Sequence, residues 1–186
     1  MSSNYTLTTE RLGLRKWTAD DLAPFAAINS DPVVMRHFPT ILSREKTERF
    51  VRSIQEHFTQ HGYGLYAVDL LANDAFIGFV GLNWATFSAH FTPCVEIGWR
   101  LATQYWGKGY ATEAARACLK YGFTELDLPE ICSFTATENT NSVAVMERIG
   151  LRYRGNFGHP RIDPGHRLHP HVLYLLRQGE YDGSDR

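Results

Sequence analysis

Two hydrophobic periods alternate along the chain. Where apolar residues recur at every second position the pattern predicts strands; where they recur at every third and fourth it predicts helices. Residues 5–16, with Leu7, Leu12 and Leu14 among polar neighbours, read as a first strand. Thr18, with Asp21 three residues on, opens a helix whose Leu22, Phe25 and Ala26 share a face, and Asp31-Pro32 stops it. Ser43 opens a second helix, with Phe50, Val51, Ile54 and Phe58 at helical spacing as far as Gly62. Strands over 64–71 and 75–84 flank Ala72-Asn73-Asp74, a hairpin turn by composition. A polar and aromatic connection over 85–92 leads to a strand over 93–101.

A long helix from about 109 to 126 follows, burying Ala111, Ala114, Ala115, Cys118, Gly122 and Leu126 and exposing Glu113, Arg116, Lys120 and Asp127. Residues 130–137 read as a strand, Asn141 to Ile149 as a short helix stopped by Gly150, and 151–156 and 171–177 as closing strands. The predicted order, β-α-α-β-β-β-α-β-α-β-β, is a mixed α/β fold with one sheet of about seven strands flanked by about four helices. The expectation is a single domain over 1–186, its core spanning about 5–177 and a tail 178–186.

Composition narrows the partners. The chain has 186 residues, 44% hydrophobic and 21% charged, with a net charge of −1 and no long run of either sign. Nucleic-acid binding by bulk charge is therefore not expected. No apolar run approaches the ~20 residues that span a bilayer, so no membrane partner is expected. Three cysteines, Cys94, Cys118 and Cys132, suit a reducing compartment better than a disulfide framework. Met1-Ser2-Ser3-Asn4-Tyr5 lacks the basic and apolar regions of a secretory signal, and a cytoplasmic location is expected. The sequence leaves room for a homodimer without requiring one.

The strand over 93–101 runs into Gln104-Tyr105-Trp106-Gly107-Lys108-Gly109-Tyr110-Ala111-Thr112 and then the long helix. Free N–H groups and partial positive charge at a helix start suit a phosphate or pyrophosphate, and Gly107 and Gly109 let the main chain approach it. A Walker loop would need a different spacing and a trailing Lys-Ser/Thr. A dinucleotide fingerprint would need a third glycine where Thr112 stands, and would sit near the start of a βαβ unit rather than past mid-chain.

Gln104-x-x-Gly107-x-Gly109 resembles the Q/R-x-x-G-x-G/A signature of the GNAT superfamily of N-acetyltransferases. An ordered set of motifs extends the resemblance to the RimJ/RimL-like branch over roughly 7–155. These are Thr9-Glu10-Arg11-Leu12-x-Leu14-Arg15, Asp31-Pro32, Ile77-Gly78-x-x-Gly81-Leu82, Glu96-Ile97-Gly98-Trp99 and Asn139-x-x-Ser142-x-x-x-Met146-Glu147-x-x-Gly150-Leu151. The resemblance implies transfer of an acetyl group from acetyl-CoA to a primary amine, by direct attack in a ternary complex. The acceptor would be a protein N-terminal α-amine or a small molecule. The alternative is a CoA-binding regulatory or interaction module without catalysis. By resemblance, Gln104, Gly107, Lys108, Gly109, Tyr110, Ala111 and Thr112 would line the pyrophosphate, the main chain of Ile97, Gly98 and Trp99 would face the pantetheine arm, and Asn139 would contact that arm.

Acetyl transfer needs a neutral amine, a stabilised oxyanion and a proton for the departing thiolate. A lysine-type amine with a pKa near ~10.4 is mostly protonated at neutral pH, so a general base matters. Glu96 is the candidate: Val95, Ile97, Trp99 and Leu101 alternate, leaving Glu96, Gly98 and Arg100 on the opposite face. The competing expectation for Glu96 is a structural role, either paired with Arg100 or accepting a hydrogen bond from a neighbouring loop. Ser142, in the first turn of the 141–149 helix and in line with Val145, Met146 and Ile149, is the candidate acid, with helix capping as its competing role. The tyrosine acid of many GNAT enzymes is absent, since Val143, Ala144, Val145 and Met146 occupy those positions. Ile97 is the expected source of the oxyanion N–H.

A ping-pong route through an acetyl-cysteine would fall to Cys94, since Cys118 and Cys132 sit at core positions. His159, His166, His169 and His171 match no zinc spacing, and no metal is expected. With Pro160, Pro164 and Pro170 they suggest a stiffened loop over the acceptor pocket, where Asp163 and His166 could touch an amine. Phe38, Trp84, Phe87 and Phe91 are expected in the core or pocket wall.

Overall fold

A computed structural model describes residues 5–183, so Met1–Asn4 of the N-terminal stretch and the last three residues of the tail lie outside it. The strands are β1 (Leu7–Thr8), β2 (Leu12–Arg15), β3 (Leu65–Leu70), β4 (Ala75–Ala85), β5 (Cys94–Leu101), β6 (Glu130–Ala136), β7 (Arg152–Gly158) and β8 (Pro170–Arg177). The helices are α1 (Leu22–Ser30), α2 (Arg44–His61), α3 (Tyr110–Thr124) and α4 (Thr140–Arg148). All eight strands form one sheet in the order β1-β2-β3-β4-β5-β6-β8-β7.

The eighth strand comes from the first predicted one, which is two. The chain turns back at Thr9–Arg11, so β1 pairs antiparallel with β2, Leu7 against Leu14. Thr9 Oγ1 accepts from the Leu12 N–H at 3.1 Å, and the turn is tied to α3 through Glu113. The remaining elements follow their local signals. Ser43 Oγ accepts from the Lys46 N–H to start α2, and Gly62, at φ 77°, ends it. Asp74, at φ 55°, closes the β3–β4 hairpin.

The core lies on both faces of the sheet. Phe25, Val51, Ile54 and Phe58 of α1 and α2 cover one face; Ala114, Ala115, Cys118, Leu119 and Phe123 of α3 cover the other. Ala111 and Leu126 are half-buried rather than core, while Leu119 and Phe123 complete the buried stripe of α3. Glu113, expected in solvent, is clamped by Thr9 and Arg11 with its side chain 17% exposed. Trp84, expected in the core or a pocket wall, is 38% exposed and lines a small side cavity rather than the core. Beyond β8, the Gln178 N–H donates to the Pro129 carbonyl and the Tyr181 ring rests 5.0 Å from Phe123.

One junction departs from antiparallel pairing. β5 and β6 run parallel, joined across α3, and register at the single pair Glu96–Cys132. Past that pair, toward the carboxyl ends of both strands, the sheet splits. This is where open α/β sheets place their ligands.

Candidate active site

The split opens into a cleft of about 1340 Å³ whose walls include Glu96 to Leu101 of β5 and Ser133, Phe134 and Thr135 of β6. The Leu82 N–H donates to the Gly64 carbonyl on the β3 side, so Leu82 and Ile97 form a non-hydrogen-bonded pair. The backbone of Ile97 therefore faces β6, while that of Glu96 faces β4. With Glu96 so turned, the Glu96–Cys132 bridge is made by the flanking Val95 and Ile97. The Ile97 N–H is thus spent on β6, its carbonyl accepts from Ser133 Oγ at 2.9 Å, and Trp99 carries the first backbone N–H past the split. Reading the side-chain alternation alone does not show this one-pair shift from Ile97 to Trp99.

At the far end of the cleft, Gly107 (φ 72°) and Gly109 (φ 81°) hold left-handed conformations. No atom stands within 4 Å of a Cβ placed on Gly107, and only Arg11 Nη2, at 3.4 Å, does so at Gly109. Their requirement is conformational, and the space above the turn stays open. Gly109 is the N-cap of α3 and lacks a side-chain cap, which leaves the first N–H groups of the helix available to an anion. Arg11 steadies the turn: Nη1 donates to the Lys108 carbonyl at 3.1 Å, Nε donates to Glu113 Oε2 at 2.6 Å, and the guanidinium lies 4.7 Å from the Tyr110 ring centre. Burial by itself would raise the Glu113 carboxyl, but hydrogen bonds from Thr9, the Arg11 N–H and the Arg11 guanidinium outweigh it and hold it below the ordinary range.

The cleft wall includes Gly107, Gly109, Tyr110, Ala111 and Thr112 with Ile97, Gly98, Trp99 and Asn139. Gln104 and Lys108 are exposed and stand outside it. Glu96 and Ser142 both line it. Glu96 is paired across the strands with Asn83, whose side chain is its hydrogen-bond partner. Burial in this cleft pushes its pKa up to about 8, with Asn83 opposing. Arg100 turns away to donate to Asn29 Oδ1 at 2.6 Å, so the expected Glu96–Arg100 pair does not form. Asn139 caps α4 by accepting from the Ser142 N–H at 3.3 Å and donates through Nδ2 to Ser142 Oγ at 3.0 Å.

The β7–β8 loop brings His159 and Ile162 into the wall, β8 adds His171, and Asp163 and His166 stay out. Burial first, and neighbouring cationic groups second, push His159 down to about 4; burial also lowers His171. Arg167 of this loop donates to the Arg36 carbonyl at 2.6 Å and pairs with Glu138, which joins three loops at the rim. Phe38 lines the cleft, Phe87 and Phe91 pack in the smaller core cluster, and Trp84 faces a side cavity of about 200 Å³. Cys94 Sγ lies 2.8 Å from Cys132 Sγ, both buried. Among the described residues no group of three or more His, Cys, Asp or Glu is placed to hold a metal ion, and no helix is long and apolar enough to cross a membrane.

Sequence reasoning missed Thr9, Arg11, Asn83 and Ser133 as parts of this site. Asn83 was recoverable, since the hairpin and the β5 pattern together set it opposite Glu96.

Residues 11–152 match the acetyltransferase (GNAT) domain family. The chain is 34% identical over 152 residues to YnaD of Bacillus subtilis, an uncharacterized N-acetyltransferase, covering 81% of this chain and 85% of that one. A GNAT-family acetyltransferase from Bacillus anthracis has the same fold, with a TM-score of 0.78, 32% identity, and 94% and 99% of the two chains covered. The Vibrio cholerae spermidine N-acetyltransferase, solved with CoA and spermine, shares the fold at TM-score 0.72 and 23% identity, over 93% and 99% of the chains. With the split sheet, the glycine turn and the order of motifs in one frame, the chain belongs to the GNAT family of acetyltransferases.

Proposed function

We propose that the protein is an acetyl-CoA-dependent N-acetyltransferase of RimJ/RimL type that joins donor and amine in one ternary complex. The observation that carries this reading is that Glu96, Ser142 and the Gly107–Gly109 turn line one continuous cleft. The residues present fit CoA: an open, positively biased turn for a pyrophosphate, and beyond the split the unpaired backbone edge of β5 for the amides of a pantetheine arm.

In this reading Glu96 takes the proton that the amine loses as its nitrogen attacks the thioester carbonyl. The Trp99 N–H receives the oxyanion of the tetrahedral intermediate. Ser142 donates a proton to the sulfur as the C–S bond breaks and regains one from solvent while Glu96 releases the amine's proton, so one proton leaves the amine and one reaches CoA. A carboxyl poised near pH 8 is a stronger base once ionised than an ordinary glutamate, which suits an amine acceptor. The acceptor is a protein N-terminal α-amine or a small amine, and the buried free cysteines fit a reducing, cytoplasmic setting.

Titration calorimetry with CoA, followed by thiol release from acetyl-CoA across amines and peptides, tests the reading. Micromolar CoA binding with amine-dependent thiol release and intersecting initial-velocity lines is expected. Binding without turnover on any amine would instead make this a CoA-binding module.

A further inference from the structure

Arg100 is a buried cation with an unfilled side. It is 9% exposed and yet lines the acceptor part of the cleft. Nη1 donates to Asn29 Oδ1 at 2.6 Å, whereas Nε has no hydrogen-bond partner. Among the described residues no carboxylate lies at ion-pair distance from it. Burial lowers its pKa to about 10, so the charge persists at neutral pH. A buried, uncompensated guanidinium is costly, and such groups are normally paired.

Three aromatic rings surround the guanidinium. Phe38 lies 4.2 Å from the guanidinium carbon, with Phe50 and Phe79 at 5.6 and 5.5 Å. Asn29 takes Nη1, and Nε is buried without a partner; Nε and Nη2 together are the side-on fork that would match a carboxylate with two parallel hydrogen bonds once a side chain over that edge gives way. Glu96 stands on the same face of β5, four residues earlier, about 13 Å along the strand. Gly98 between them leaves the floor bare, with no atom nearer than Glu96 Oε1 at 3.8 Å to a Cβ placed there. Of the three carboxylates among the described residues that line the cleft, Glu10 and Glu113 belong to the end held by Arg11, which leaves Glu96 at the acceptor end.

We propose that Arg100 binds a carboxylate of the acetyl acceptor, so that the substrate is an amine carrying a carboxylate several carbons away and not a polyamine. This rests on the N-acetyltransferase reading. The amine would lie at Glu96 and the anion would complete the guanidinium, while a polyamine would set a second ammonium against a buried cation.

The test compares 6-aminohexanoate, 6-aminohexanamide and 1,5-diaminopentane as acceptors. The wild-type protein is expected to favour the carboxylate at least 10-fold in kcat/KM. That preference should fall to within 2-fold in Arg100→Gln and survive in part in Arg100→Lys. Equal rates for the acid and the amide, or an undiminished preference in Arg100→Gln, would overturn the proposal. Calorimetry of hexanoate and hexanamide on the wild-type protein saturated with CoA reads the anion site without any transfer, and decides alone if the variants do not fold. Hexanoate binding with no hexanamide binding supports the site even where no amine is acetylated. Absence of hexanoate binding while an amine is turned over removes the carboxylate site and leaves the acetyltransferase reading intact.

Discussion

Asn139 donates through Nδ2 to Ser142 Oγ at 3.0 Å and to Thr135 Oγ1 at 2.8 Å, while its own Oδ1 accepts from the Ser142 N–H at 3.3 Å. The serine oxygen is therefore an acceptor within the protein, and its O–H is left to donate into the cleft. Capping therefore leaves the hydroxyl proton available for the donor role proposed for Ser142. Ser142→Ala is expected to lower kcat about 100-fold, within the range of general acid catalysis, with the CoA dissociation constant within about 2-fold of wild type. Single-turnover rates and CoA calorimetry on the variant check this. An unchanged kcat would return Ser142 to the helix cap alone.

On the proposed mechanism the pH dependence would be set by Glu96. Its pKa in the fold, about 8, lies above the ordinary value of 4.5 because burial favours the neutral carboxyl. The base form therefore grows as pH rises, and kcat/KM for an amine of fixed protonation should climb through pH 8 and level above it. Glu96→Gln should lower kcat and remove that limb. The stability linkage has the matching sign: the raised folded value makes ionisation a growing penalty as pH rises from 4.5 to about 8. Melting temperatures should show Glu96→Gln gaining on wild type at pH 9 relative to pH 5. A profile that keeps its limb in Glu96→Gln would assign it to another group.

The glycine turn and the β5 alternation were legible because each is local: spacing within a few residues sets the backbone conformation and the strand face. What was not legible depends on partners far along the chain. The turn that divides the first strand is held by Glu113, about a hundred residues later, and the same bonds remove Glu113 from the solvent face that helical periodicity assigns it. Glu96 and Arg100 share a strand face, as the pattern says, but α1 supplies Asn29 and draws Arg100 away. The split itself leaves no mark in composition. It follows from β6 joining β5 in parallel, and it moves the available N–H from Ile97 to Trp99.

Arg11 and Glu113 give the cofactor end a separable test. Arg11→Ala removes the donor to the Lys108 carbonyl and the brace on Gly109, so CoA affinity is expected to fall roughly 10-fold, about 1.4 kcal/mol, with little change in kcat at saturation. Glu113→Gln should act the same way more weakly, since an amide can still accept from Thr9. The carboxyl is held below its unfolded value of 4.5, so its contribution to stability is complete above that pH and is lost as pH falls through the folded value. The melting-temperature gap between wild type and Glu113→Gln should close on acidification from pH 7 to below 4. A gap that stays constant would mean that the ionised carboxyl is not what holds the turn.

Cys94 separates the two transfer routes. A ping-pong mechanism needs an accessible thiolate that can attack the thioester. Cys94 is 7% exposed, is absent from the cleft wall, and points its sulfur at Cys132, 2.8 Å away. The contact with Cys94, together with burial, raises the Cys132 thiol, and burial raises Cys118 to about 12, so neither is ionised at neutral pH. Cys94→Ala is therefore expected to leave kcat within about 2-fold of wild type, and the protein mixed with acetyl-CoA alone should show no mass gain of one acetyl group. A loss of activity in Cys94→Ala without a change in melting temperature, together with an acetylated intermediate in intact-mass spectra, would replace direct attack with a covalent route.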